Sequence, residues 1–162
     1  MTTQTLTIQF QSLPNAELTA ADRDLCDAAA AAALRAYAPY SHFFVGAAVR
    51  LSNGRLVDGN NQENAAYPSG TCAERTTLYY ANAAFPDAAV ETLAIAAWHD
   101  GGAVPFISPC GACRQVIMET ETRQGRPIRI LLHGRDTTYV LDSAHALMPL
   151  WTPPKSDKAL ER

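Results

Sequence analysis

No apolar stretch in the chain approaches the ~20 residues that a helix needs to cross a bilayer, so no membrane partner is expected. The start, MTTQTLTIQFQS, has neither the basic region nor the apolar block of a signal peptide. The expected compartment is therefore cytoplasmic, where thiols stay reduced. Positive charge is short as well: 13 Lys and Arg against 16 Asp and Glu leave a net charge of -3. No overall positive field draws in nucleic acid, and no basic stripe interleaved with aromatics is present. No nucleic-acid partner is expected. Internal repeats and low-complexity linkers are also missing. The 162 residues suit one domain over residues 1–151, followed by a polar tail, 152–162. Such a chain buries a core without disulfide staples. In a reducing compartment its four cysteines read as metal ligands or catalytic groups before they read as disulfides.

Periodicity then divides the chain. TLTIQFQ alternates Leu6, Ile8 and Phe10 with polar neighbours and predicts a short half-buried strand. LTAADRDLCDAAAAAALRAYAPY is alanine-rich and helical. Thr19 and Asp22 resemble a capping box, with Asp in place of Glu or Gln, and Pro39 should stop the helix. FFVGAAVRL and RLVDGNN flank Asn53-Gly54, a hairpin signal. Residues 72–84 and 111–122 read as helices. TLAIAAW is a continuous apolar run, as in a strand covered on both faces. PIRILLH and TTYVL read as further strands, and Asp142 or Ser143 could cap a short last helix. This alternation predicts an α/β fold: a three-layer α/β/α sandwich around a mixed, mainly parallel sheet of five strands.

The chemistry concentrates in GTCAERTTL and SPCGACRQV. Cys110 and Cys113 form C-x-x-C, which alone could be a redox pair or two buried thiols. Cys72 adds a third thiol, and all three lie near predicted helix starts, whose partial positive charge favours thiolate. Three such thiolates suit zinc. A structural zinc site usually closes with four protein ligands, whereas a catalytic one keeps a position open for water. No fourth ligand lies beside either motif. Cys26 reads as a small core residue. His42, His99, His133 and His145 are scattered, and any of them could fold back as the fourth ligand.

Cys72 and Glu74 are two apart, and such residues do not share a helix face. A target beyond the helix N-terminus, however, can be reached from several directions around the axis. Cys72 could hold the metal while Glu74 reaches over the water beside it. The plain alternative is a first-turn Glu favoured by the helix dipole. Three thiolates and one divalent zinc leave a charge of about -1, and sulfur ligands should acidify a bound water less than three imidazoles do. Arg75 is the candidate to offset that charge; its alternative is an ordinary surface arginine.

C-A-E with P-C-x-x-C is the zinc-deaminase pattern. The stretches AYAPYSHFFVGAAV, GNNQENAAYPSGTCAERTTL and SPCGACRQV resemble the small homotetrameric cytidine deaminases with three cysteine ligands, over roughly residues 18–150. The resemblance implies one zinc per subunit on Cys72, Cys110 and Cys113, with Glu74 as proton shuttle. Asn61 and Glu63 match residues that grip the ribose 3′-hydroxyl, and Phe43 the aromatic on the pyrimidine ring. Backbone groups near Ala73 would meet the polar edge of the base, and Arg75 matches the arginine that neutralises the thiolates. The implied reaction is hydrolytic deamination of cytidine and 2′-deoxycytidine to uridine and 2′-deoxyuridine with release of ammonia, as in pyrimidine salvage, at sites shared between subunits. Family members commonly end near an aromatic that enters a neighbouring subunit's site; here LMPLWTPP leaves Trp151 either in that role or covering the core. Three other readings compete. One is a blasticidin-type deaminase, against which the Asn61/Glu63 sugar grip argues. The others are a nucleic-acid editing deaminase and a non-catalytic zinc module with a closed four-ligand site.

Overall fold

A computed structural model describes residues 1–151; the polar tail expected at 152–162 lies outside the described residues. Strand β1 (Gln11–Pro14) leads through a 3-10 turn to helix α1 (Ala20–Ala33). The hairpin β2 (Phe44–Leu51) and β3 (Leu56–Asn60) follows, then helix α2 (Ala73–Ala84). Strand β4 (Val90–His99) turns into the two-residue β5 (Gly102–Ala103). Helix α3 (Gly111–Gln124), strands β6 (Arg129–His133) and β7 (Thr137–Leu141) and a 3-10 turn at Ala144–Leu147 complete the described chain.

The three layers form as expected. Alternate residues of the central strands face opposite ways. Ala48, Ala94, Ala96 and Leu131 meet Leu25, Cys26 and Ala29 of α1. Ala47, Val49, Leu93, Ile95, Ile130 and Leu132 meet Leu78 of α2 and Ile117 and Met118 of α3 on the other side. Cys26 is fully buried and free, a core residue as read. The alanine content of α1 has a geometric use. A Cβ added at Gly46 would lie 2.0 Å from the Ala29 carbonyl oxygen and 2.4 Å from the Ala33 nitrogen. The helix therefore rests backbone on backbone against β2.

The sheet itself corrects the expectation of five mainly parallel strands. Among the described residues it has seven strands, in the order β1-β7-β6-β4-β2-β3, with β5 paired to β4. Among the described strands only β4 and β6 pair in parallel; every other strand pair is antiparallel. Helix–strand alternation implies parallel strands, but not that they are neighbours. The crossover through α2 joins β3 to β4, and β2 lies between them, antiparallel to both. The crossover through α3 alone joins strands that touch.

The first strand is also shifted. Pairing Gln11 with Val140 carries residues before Phe10 past the end of β7, where no described residue continues the ladder. Leu6, Ile8 and Phe10 stay exposed, although Phe10 stacks at 5.0 Å on Tyr139. Thr19 caps α1 by accepting from the Asp22 nitrogen at 3.2 Å. The Asp22 carboxylate goes to Arg129. Helix α1 ends before Pro39, because the Tyr37 nitrogen is taken by the Asn61 carbonyl and Tyr37 bridges to Gln62. The Asn53-Gly54 hairpin forms, with Gly54 at φ 81°. Ser143 caps the last 3-10 turn by accepting from the His145 nitrogen. Trp151 packs half-buried on the core, edge-on to His145 at 5.8 Å.

Gly46→Ala is expected to cost about 3 kcal/mol or more, the upper end of overpacking penalties, because the clash is with backbone. Urea unfolding measures it; a loss under about 1 kcal/mol would show that α1 can lift from β2.

Candidate active site

Two helix starts converge at one end of the molecule. Cys72 is the N-cap of α2 and Cys110 the N-cap of α3, each in extended backbone conformation without a side-chain capping bond. Cys113 follows in the first turn of α3 and is fully buried. The three ligand atoms lie within 4.8 Å of one another, and Cys72 Sγ is 3.9 Å from Cys110 Sγ. All three thiols are free. Tetrahedral zinc with Zn–S bonds of ~2.3 Å separates its sulfurs by roughly 3.8 Å, so the donor set fits that ion in chemistry and in spacing. Among the described residues, no fourth Cys, His, Asp or Glu joins the cluster. The four histidines named from the sequence stand apart from it. That leaves a three-ligand set, the open pattern rather than the closed one.

Glu74 lies in the first turn of α2, only 4% exposed. Burial pushes its carboxyl group above the ordinary range, and the neighbouring Cys72 charge adds to the shift. Cys72 moves the other way, down to about 5, first through the hydrogen bond from Cys113 and then through Arg75. Cys113, which gives that hydrogen bond and is buried, is held up. Arg75 reaches back along the helix, with Nη2 3.6 Å from Cys72 Sγ. Its buried Nε has no hydrogen-bond partner among the described residues. A guanidinium turned onto sulfur, with one donor unspent, suits a site that gathers negative charge.

Beside the thiols lies a cleft of about 300 Å³, lined among others by Asn61, Glu63, Cys72, Arg75, Tyr40 and Tyr67. Asn61 follows β3 and ties itself to β2. Its Oδ1 accepts from the Val45 nitrogen at 2.7 Å, and its Nδ2 donates to the Phe43 carbonyl at 2.9 Å. Glu63 Oε2 accepts from the nitrogens of Tyr40 at 2.9 Å and Ser41 at 3.3 Å. Hydrogen bonds from Ser41 and Tyr40 hold the Glu63 carboxyl below its ordinary value. Phe43 is half-buried just before β2. Ala73, fully buried, opens α2, where first-turn N–H groups have no acceptor within the helix. The structure thus brings Asn61, Glu63, Cys72 and Arg75 to one cleft. Phe43 joins them through Asn61, and Glu74 and Ala73 lie behind Cys72 on α2. A larger groove of about 440 Å³ between α2 and α3, bordered by Tyr79 and Glu119, holds no thiol.

Sequence reasoning passed over Arg114. Its Nε donates to the Pro109 carbonyl at 2.9 Å, Nη2 to Ser108 Oγ at 3.0 Å, and Nη1 to the Leu147 carbonyl at 3.3 Å. It braces the loop that delivers Cys110 against the last 3-10 turn. Its position directly after Cys113, parallel to Arg75 after Glu74, was the available signal.

Residues 19–125 match the family described as the cytidine and deoxycytidylate deaminase zinc-binding region. The chain belongs to this family. A probable cytidine deaminase of Dictyostelium discoideum is 39% identical over 123 residues, covering 76% of this chain and 78% of that protein. The cytidine deaminase of Halalkalibacterium halodurans is 44% identical over 84 residues, covering 52% of this chain and 60% of the relative's length. Among solved structures, cytidine deaminase from Burkholderia pseudomallei superposes with a TM-score of 0.64 at 37% identity, over 82% of this chain and 98% of that one.

Cys110→Ala and Cys113→Ala are each expected to lose tightly bound zinc, measured with a chromophoric chelator, while Arg75→Gln keeps it. Zinc retained by both cysteine variants would contradict this assignment of ligands.

Proposed function

We propose that this protein is a zinc-dependent cytidine deaminase, hydrolysing cytidine and 2′-deoxycytidine to uridine and 2′-deoxyuridine with release of ammonia, in pyrimidine salvage. The observation that carries the reading is three free thiols within 4.8 Å at two helix starts, with a buried carboxyl two residues from one of them and no fourth ligand among the described residues. Cys72, Cys110 and Cys113 would hold one zinc per subunit. When bound, the ion supplies an open position for water and lowers the pKa of that water.

The protein's own groups account for the rest. Glu74, whose burial raises its affinity for a proton, takes one from the attacking water and passes it to ring nitrogen N3. Protonation at N3 makes C4 a better electrophile. The water oxygen bonds to C4, its second proton passes by way of Glu74 to the exocyclic amine, and the C4–N bond breaks to release ammonia. Arg75 offsets the thiolate charge that would otherwise oppose acidification of the water. Phe43 packs on the pyrimidine, and backbone groups at Ala73 meet its polar edge. Asn61 keeps one amide hydrogen and one lone pair beyond its bonds to β2, and Glu63 keeps Oε1. Both remain able to grip a ribose hydroxyl, which also disfavours the blasticidin-type alternative. The activity is placed in a single domain, residues 1–151, assembled as a homotetramer with sites shared between subunits. A reducing, cytoplasmic setting suits the free thiols, and no helix among the described residues is long and apolar enough to cross a membrane.

Glu74→Gln is expected to retain zinc and its far-ultraviolet circular dichroism while kcat for cytidine falls ~10²–10⁴-fold, the usual contribution of general acid–base catalysis. Turnover within a few-fold of the parent would remove Glu74 from the proton-shuttle role. Sedimentation equilibrium should return four times the 17.5 kDa chain mass; a stable monomer with full activity would exclude shared sites.

A further inference from the structure

The segment that presents Phe43 is held in place from outside, and one of its holds comes from the far end of β4. His42 takes φ 53°, the left-handed region that non-glycine residues seldom adopt. The backbone turns there so that Phe43 enters the start of β2. Asn61 Nδ2 fixes the Phe43 carbonyl at 2.9 Å. His99 fixes the carbonyl just before it, with Nδ1 3.0 Å from the His42 oxygen. A carbonyl only accepts, so Nδ1 carries the hydrogen. The His99 ring also lies against the Phe43 ring, with centroids 5.4 Å apart and planes tilted by 42°, within the range of favourable aromatic pairs.

His99 itself sits on a stiff mount. It is the last residue of β4, opposite Gly102 of β5. The connection is Asp100-Gly101, with φ 50° and 77°, the positive pair that a two-residue type I′ turn requires. The tight hairpin leaves the strand end little freedom. Phe43 is thus bounded by two successive carbonyl anchors and by an imidazole face.

We propose that His99 is a positioning residue that sets the orientation of Phe43 and thereby the affinity for the pyrimidine base. This rests on the nucleoside reading above. His99 takes no part in proton transfer: its Nδ1 is spent on the His42 carbonyl at the end of β4, and Glu74 stands on α2. Its removal should therefore weaken nucleoside binding and leave the chemical step alone.

The test is a double-mutant cycle between His99 and Phe43, read by cytidine KM and kcat and by direct titration with uridine. His99→Leu should raise KM and the uridine Kd about five-fold or more, the lower end of what one aromatic contact plus one hydrogen bond contribute, with kcat within about two-fold and zinc content unchanged. His99→Gln, which keeps a donor, should recover part of that loss. In a Phe43→Ala background, His99→Leu should add nothing further, because the ring it orients is gone. Should His99→Leu fail to fold, His99→Ser completes the same cycle. Unchanged KM and Kd in an active parent series, or losses that simply add across the two positions, overturn the proposal. A parent that neither turns over cytidine nor binds uridine overturns the nucleoside reading and this inference with it.

Discussion

Two helix N-termini aimed at one point are the constraint from which the rest of the site follows. Cys72 and Cys110 occupy equivalent N-cap positions on α2 and α3, and an N-cap side chain projects into the space where unpaired backbone N–H groups point. Both helices pack on the same face of the sheet. Their starts can meet only because β4 and β6 are parallel and adjacent, which makes α3 a crossover lying beside α2. The sulfur cluster is therefore a product of topology. Glu74 gains its burial from the same arrangement, since the first turn of α2 is covered where α3 arrives. Arg75 is left on the flank, able to reach Cys72 along its own helix.

A second constraint shapes the mouth of the cleft. Glu63 and Asn61 have side chains suited to a sugar hydroxyl, yet both also spend hydrogen bonds on the 40–45 backbone. A residue that builds the wall of a site and also faces its contents couples shape to recognition. Substituting either one disturbs Phe43 as well as any polar contact to ligand, so single-site effects on binding in this region will not add. The segments carrying Phe43, Asn61 and Glu63 are tied to one another at β2 and β3, and Gln62 pairs with Thr71 just before Cys72, so this wall is joined to the start of α2.

Much of this was legible along the chain, for identifiable reasons. Local signals carried well. The Thr19 cap, the Asn53-Gly54 hairpin, the Ser143 cap and the helix starts at 73 and 111 depend on neighbours a few residues away. The convergence of Cys72, Cys110 and Cys113 followed from placing each at a helix start. What depends on distant partners did not carry. Strand order was misjudged because β2 inserts between β3 and β4, a fact held in no local pattern. The alternation of Leu6, Ile8 and Phe10 reads as a strand, but the register with β7 leaves those residues beyond the ladder. Arg114 acts on a loop and on Leu147, 33 residues away. His99 lies 57 residues from the carbonyl it meets. Asp100-Gly101 is a local turn signal of the same kind as Asn53-Gly54, and both form tight turns with a positive-φ glycine.

In the function proposed above, the chemistry belongs to the open side of a three-sulfur metal site. The most direct measurement strips the protein with a strong chelator and titrates zinc back while following the ultraviolet conversion of cytidine to uridine. The stripped protein is expected to show no turnover, and activity to return linearly with a break at one zinc per chain. Turnover that survives stripping, or a zinc-loaded protein with all three cysteines engaged that leaves cytidine unchanged, would contradict it.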